Sequence, residues 1–547
     1  MNGWQQHLII APIVIPLVAG ALLLFFDERE RVLKAMISVV SCLALAAIAI
    51  TLFRLAAGGN GEGGFPGVYL LGNWPAPFGI VLVADRLSAL MLVLASILAI
   101  PTLVYALARW HTAGAHFHSL FQFLLMGLNG AFLTGDLFNL FVFFEVMLAA
   151  SYGLLMHGSG SMRVKAGLHY IAVNLAAALC FLIGVSAIYG SAGTLNMADL
   201  AVRIGEIEGE RRMLLEAGAG ILGIVFLIKA GMWPLNFWLP GAYSAATAPV
   251  AGIFAIMSKV GIYVILRLSL LVFGQGESAG LGLNVLLYGG MATIAFGTIG
   301  VLASQALGRL ASYSVLVSSG TLLAVLGLSN GDVTAGALFY MVSSTMTIAA
   351  FFMLIELVER GQDAGASVLA VTMEAYGDAD EEEQEVEVGV TMPGTIAVLG
   401  VCFAACGILL SGLPPLSGFV AKFAMLSGMI GLGGGAGAPI APSVWWIVAL
   451  LILSGLAALI SMTRAGIRTF WASMEGTVPR VLVMEMAPVM LLIALTLVLT
   501  VKAGPAMTYM EETVRSLQQP ASYIDAVINA RRAGTAEPGG PDGGGGI

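Results

Sequence analysis

Apolar residues run along this chain in roughly fourteen long blocks separated by short polar joints, each block near the ~20 residues that cross hydrocarbon as a helix. They fall at approximately 5–26, 33–56, 80–108, 116–134, 137–157, 165–190, 213–239, 245–272, 280–303, 308–328, 333–358, 391–430, 443–465 and 479–502. Within hydrocarbon a helix satisfies its own backbone, so the pattern predicts an all-α polytopic membrane protein with about 14 spans. The twelfth block is long and is interrupted by Gly412-Leu413-Pro414-Pro415. The first apolar run, Leu8–Phe26, has no basic segment before it and no clear cleavage site, and reads as a retained first helix.

Composition agrees. Of 547 residues, 59% are hydrophobic and 10% charged, against about 25% charged in soluble domains. The net charge of −8 comes largely from the acidic stretch Glu374–Glu387, which reads as a solvated linker inside a loop at 361–390. No basic patch points to nucleic acid. Cys42, Cys180, Cys402 and Cys406 lie in apolar segments, and Cys402 and Cys406 have helix spacing rather than the two-residue gap of metal or redox pairs. No nucleotide, flavin, haem or iron–sulfur motif is visible, so no cofactor is expected. Lys and Arg concentrate in the odd-numbered loops, among them Arg29, Arg31, Lys34, Arg109, Arg163, Lys165, Arg309, Arg360, Arg464 and Arg468. This predicts cytoplasmic odd loops and both termini outside. The tail from 503, ending in PGGPDGGGGI, reads as polar and disordered.

Against that background four charges stand out. Glu145 lies in LFNLFVFFEVMLAA, Lys229 in VFLIKAGMW, Lys259 in FAIMSKVGIY and Lys422 in SGFVAKFAML. A charge at mid-bilayer costs about 2.5–3.5 kcal/mol at the least, and such residues usually face a bundle interior or a water-filled path. A cation about 4 Å from Glu145 offers roughly 4 kcal/mol at an effective dielectric near 20, so Glu145 holds or loses a proton according to where its partner sits. The plain alternatives are a static ion pair for Glu145 and snorkelling to an interface for each lysine. His169 either bridges the cytoplasm to the buried path or sits at an interface. Asp136 either joins the path or caps the Glu145 helix. Ser343, Ser344, Thr345 and Thr347 form a polar stripe that glues helices, holds water or holds sodium.

Gly231-Met232-Trp233-Pro234-Leu235 and Gly412-Leu413-Pro414-Pro415-Leu416 share the pattern G-x-x-P-L. Each follows an apolar run and breaks a helix, and each lies near an intramembrane lysine. Paired breaks of this kind mark the ion site of an inverted-repeat transporter. The expected layout is helices 1–3 at 1–115, a first five-helix repeat at 116–275, an inverted second repeat at 276–470, a last span at 471–502 and the tail at 503–547.

The segments FNLFVFFEVMLAASYGLL, LIKAGMWPLNFWLPGAYSAATAPVAGIFAIMSKVGIY and GLPPLSGFVAKF resemble the antiporter-like subunits shared by respiratory complex I and the multisubunit Mrp/Pha cation/proton antiporters. The resemblance covers roughly residues 5–500. Tyr69–Met91 resembles the D-type chains of Mrp/Pha systems. The resemblance implies that Glu145 and Lys229 form a switching pair and that Lys259 and Lys422 continue a lateral proton path. It implies proton-coupled Na+ or K+ transport in a bacterial inner membrane, beside partner subunits of the A/B, C, E, F and G types. The alternative it leaves open is a proton-pumping membrane arm of an NADH:quinone oxidoreductase or membrane hydrogenase. Many relatives carry histidine in the eleventh span, where this chain has Val342-Ser343-Ser344-Thr345-Met346-Thr347; hydroxyl-held waters would have to replace the ring.

Overall fold

A computed structural model of the chain describes residues 3–27, 29–58, 65–376, 394–431, 440–470, 481–530 and 532. The apolar blocks become helices. The N-terminal group is α1 (Gly3–Phe25), α2 (Arg31–Gly58), α3 (Arg86–Ala108), α4 (Phe117–Leu133), α5 (Leu137–Leu155) and α6 (Ser161–Ala192). A short α7 (Met197–Arg203) leads to α8 (Gly209–Ala230), α9 (Leu239–Ala245) and α10 (Ala248–Leu271). Then come α11 (Leu283–Ala303), α12 (Leu307–Leu326), α13 (Gly331–Tyr376), α14 (Gly394–Ser411), α15 (Ser417–Ile430), α16 (Pro442–Phe470) and α17 (Val483–Val501). Among the described residues, thirteen helices are long and apolar enough to cross a membrane. With α4, whose 17 residues span roughly 26 Å, they account for the expected fourteen. The protein is a multi-pass membrane protein.

The apolar run at 80–108 is not one helix. Val81–Ala84 (β2) pairs antiparallel with Gly67–Leu70 (β1) as a small hairpin, and the helix starts only after Asp85. Asp85 caps it, accepting from the Ser88 backbone at 2.9 Å while the Asp85 backbone N–H donates to the Ser88 hydroxyl. Two helices sit at the centre: α10 and the Gly331–Arg360 stretch of α13 are surrounded by protein on every side. Each therefore presents buried polar groups to neighbours rather than to lipid. The acidic stretch beyond Tyr376 lies outside the described residues.

The expectation of a disordered tail over 503–547 is corrected for its first part, 503–530, while the glycine-rich end lies outside the described residues. Residues 503–518 form α18 (Ala503–Gln518) and 521–528 form α19 (Ala521–Ile528). Tyr509, Met510, Thr513, Val514 and Leu517 form the buried stripe of α18, at the spacing of an amphipathic helix that mean polarity concealed. The tail folds back onto the hairpin and the start of α3. Tyr509 donates to the Arg86 carbonyl at 2.9 Å, Arg86 pairs with Glu512 at 2.5 Å, and α19 packs on α7 and β1. His7 in α1 meets the Tyr69 ring at the same end. This end, carrying the start of α1 and the C-terminal helices, is the terminus face.

Fixed charges hold both ends. At the terminus face Arg267 of α10 forms a bidentate pair with Asp85, one contact being 2.8 Å, and lies over the rings of Tyr263 and Tyr523. At the opposite face Glu485 of α17 takes Arg109 at 3.1 Å and Arg360 at 2.7 Å, while Trp110 donates to Glu356 at 2.8 Å. Removing one member of a buried pair strands the other charge, at about 3–5 kcal/mol. Arg267→Met should therefore cut the thermal unfolding temperature of the purified complex sharply, whereas Arg267→Met with Asp85→Leu should recover most of the loss.

Candidate functional site

The two sequence-predicted breaks are built alike. Helix α8 runs in from the terminus face and stops at Gly231; α14 runs in from the opposite face and stops at Gly412. Both glycines have φ of 75°. At each, the next residue's N–H reaches back to close the last turn, Met232 to Leu227 at 3.0 Å and Leu413 to Ile408 at 3.1 Å. Left-handed backbone at the stop is glycine's conformation. The antiparallel approach of two identical stops is the inversion that the G-x-x-P-L echo predicted.

Each lysine of the predicted row is buried, and each finds a neutral oxygen. Lys229, in the last turn of α8, donates to the Asn174 side-chain oxygen of α6 at 2.8 Å and lies 5.9 Å from the centre of the Phe144 ring. Glu145, half-buried on α5, is within electrostatic reach of Lys229 but makes no ion pair with it. Lys259, fully buried at the middle of α10, donates to Ser318 at 2.9 Å and reaches Ser319 at 3.4 Å on α12. Lys422 on α15 bends back across Gly412 and donates to the Ser411 carbonyl at 2.9 Å. That carbonyl is free because α14 ends there, and a cation suits the C-terminal end of a helix.

Hydroxyls fill the interval between Lys259 and Lys422. The Ser318 and Ser344 oxygens are 3.0 Å apart, and Ser343 is 2.8 Å from Ser417 at the start of α15. Ser343 and Ser344 are neighbours on α13. Beside them lies a cavity of about 30 Å³ lined by Ser314, Ser318, Ser343, Ser344, Thr347 and Ser454. One water needs about 10–15 Å³ measured this way, so the cavity has room for one or two.

The chain as a whole is similar to known proteins. The family described as "NADH:quinone oxidoreductase/Mrp antiporter, TM" fits residues 134–445, which hold the whole lysine row. A protein of Rhizobium meliloti (strain 1021), named as the D-type chain of a "Probable K(+)/H(+) antiporter", is 64% identical over 98% of this chain and 100% of its own length. The chain belongs to the NADH:quinone oxidoreductase/Mrp antiporter family. The D-type chain of a "Na(+)/H(+) antiporter" from Alkalihalophilus pseudofirmus is 34% identical, over 96% of this chain and 100% of that protein. In fold, the chain is like one chain of the Mrp complex from Dietzia sp. DQ12-45-1b, with a TM-score of 0.79 and 24% identity over 96% of this chain and 100% of that one. A chain of respiratory complex I from Thermus thermophilus has a TM-score of 0.72 at 20% identity, over 94% and 99%.

Within this Mrp-type protein the accessory residues divide. Ser343 and Ser344 sit between Lys259 and Lys422. Thr345 is spent on its own helix, donating to the Met341 carbonyl at 2.5 Å. Asp136 is a cap, accepting from Phe138 and Asn139 at 2.8 and 2.9 Å at the start of α5, about two and a half turns from Glu145. His169 does not bridge into the path: it is exposed on α6, with Nδ1 3.0 Å from the Lys165 carbonyl. One residue further, Tyr170 turns inward onto Ser151 at 2.9 Å. Sequence reasoning missed Asn174, Ser318 and Ser417. The signal for Asn174 was its spacing: it stands four residues after Tyr170 on the inward face of a helix that otherwise looks at lipid.

Gly412 tests the packing of the second break. A Cβ there would stand 2.5 Å from Lys422 Cδ, on a backbone of φ 75°. Gly412→Ala should cost at least ~1–2 kcal/mol from the backbone alone, and the unfolding temperature of the purified complex should fall although no charge has changed.

Proposed function

We propose that the chain is the proton-translocating, D-type membrane component of a multisubunit monovalent cation/proton antiporter. Its work is transport rather than bond-making. The carrying observation is the row itself: three buried amines, each held by a neutral oxygen, with serines between the second and third. A carboxylate partner would fix an amine; an amide, hydroxyl or carbonyl oxygen holds it while leaving it able to move or give up its proton.

In this reading Glu145 and Lys229 are the switch. Asn174 holds Lys229 away from Glu145 in one state, and Lys229 leaves Asn174 for Glu145 in the other. The partner's arrival changes the field at the row and decides whether Lys259 keeps its proton. Ser318, Ser344, Ser343 and Ser417 carry the proton towards Lys422 in place of the eleventh-span histidine. Proton entry drives cation export. The 64% identity to a protein named for K+/H+ antiport, against 34% to one named for Na+/H+ antiport, favours K+. The fold likeness to a complex I chain fits a redox-driven pump as well; the antiporter relatives, matched over their whole lengths, favour the antiporter.

The odd loops face the cytoplasm, because they carry most of the Lys and Arg. The terminus face is then the outer face of a bacterial cell membrane. Membrane subunits of the A/B, C, E, F and G types complete the complex.

The whole gene cluster should be assayed in everted vesicles, with K+ and Na+ compared. Glu145→Ala and Lys229→Ala should each abolish cation-dependent proton flux, and full flux in either variant would exclude the switch. Asn174→Leu, similar in volume, removes a charge-assisted hydrogen bond of about 1.5–3 kcal/mol; flux should fall roughly tenfold or more while the complex still assembles.

A further inference from the structure

Half of the residues lining the cavity beside Ser318 carry a hydroxyl, and the rest are apolar or glycine. Ser314 donates to the Leu310 carbonyl at 2.9 Å, Thr347 to the Ser343 carbonyl at 2.8 Å and Ser454 to the Leu451 carbonyl at 2.9 Å. Each hydroxyl has one proton, and here that proton is committed to the residue's own helix. What each has left is oxygen lone pairs. Ser318 already accepts the Lys259 ammonium, and Ser344 lies 3.4 Å from the Met341 carbonyl, to which it can donate. Tyr340 adds a phenol to the same wall. The hydroxyls of this lining come from α12, α13 and α16, with apolar residues of α11 and α14 completing it.

A small space rich in acceptors fits a guest that offers positive charge. A multivalent ion would want carboxylates, and among the described residues no cluster of acidic, histidine or cysteine side chains could hold one. A monovalent ion that has shed its water is held by neutral oxygens alone. The volume, about 30 Å³, admits a guest of about water's size.

We propose that this cavity is a binding site for a dehydrated monovalent cation, K+ or Na+, held by the oxygens of Ser314, Thr347 and Ser454 together with Ser318. The site deepens the antiporter reading and rests on it. Ser318 is shared: it takes the Lys259 ammonium on one side and borders the cavity on the other. A cation in the cavity and the ammonium compete for the same oxygen and repel each other across it. Loading of the cation and charging of Lys259 therefore exclude one another at a single hydroxyl, and one site need not await a distant signal from the other.

The test uses the whole complex. Ser454→Ala and Thr347→Val lie off the line from Lys259 through Ser318, Ser344, Ser343 and Ser417, and each removes one acceptor. Each should raise the apparent KM for K+ or Na+ about three- to tenfold, with flux at saturating cation near that of the parent; Ser454→Thr should restore the parent KM. An unchanged KM in both variants overturns the site and leaves water as the occupant. A second measurement needs no substitution in the cavity wall. Lys259→Met removes the competing ammonium, so the purified complex should bind radioactive rubidium more tightly although transport stops. Unchanged or weaker rubidium binding also overturns the site. If Lys259→Met instead transports normally, the proton-path reading itself fails, which separates the two outcomes.

Discussion

An ammonium group inside a bilayer must have oxygen, and a well-formed helix offers none, because its carbonyls are already taken by its own N–H groups. This constraint organises the middle of the protein. Lys422 obtains its oxygen from a helix stopped short at Gly412, which frees the Ser411 carbonyl. Lys229 obtains one from the amide of Asn174 on a neighbouring helix. Lys259, inside a helix without a break, relies on the hydroxyls of Ser318 and Ser319. The broken helices, the lone asparagine and the serine-rich α12 and α13 are three answers to one demand. In each case the oxygen is neutral, so the amine's lost hydration is only partly replaced.

The contrast with the ends of the bundle is chemical. There the buried ion pairs join arginine to carboxylate: Asp85 with Arg267, Glu485 with Arg109 and Arg360. A guanidinium keeps its charge and offers a planar fork that a carboxylate matches, so such a pair fixes geometry. An amine is compact, flexible and able to lose its proton. Arginine with carboxylate at the two faces and lysine with neutral oxygen in between separates fixed charge from charge that its surroundings leave able to move.

Much of this was legible in the sequence. Apolar block length gave the spans, because backbone satisfaction in hydrocarbon leaves helix as the open choice. The isolated charges Glu145, Lys229, Lys259 and Lys422 marked the row, because their cost in an apolar run needs a reason. The glycine–proline echoes marked the breaks. What stayed hidden depends on which way a side chain turns across helices. Asn174, Ser318 and Ser417 are ordinary polar residues until a lysine from elsewhere in the chain arrives beside them. His169 misled for the converse reason: a titratable ring draws attention, but its helix directs it outward and Tyr170 inward. Thr345 did the same within the hydroxyl stripe: it bonds back to the Met341 carbonyl and, unlike Ser343, Ser344 and Thr347, does not line the cavity. The tail was misread because average polarity and a glycine-rich end outweighed the periodic Tyr509, Met510, Val514 and Leu517.

The folded tail bears on how the protein is made. Arg86 and Glu512 are 426 positions apart in the chain, and Tyr523 is one of the two rings against Arg267. A chain synthesised from its N-terminus presents those partners last. The Asp85–Arg267 pair therefore waits, with the Tyr263 ring but without Tyr523 and without the Arg86 clasp beside it, until the spans have entered the bilayer. A product cut before α18 would lack both of those contacts, and its charged end would stand open.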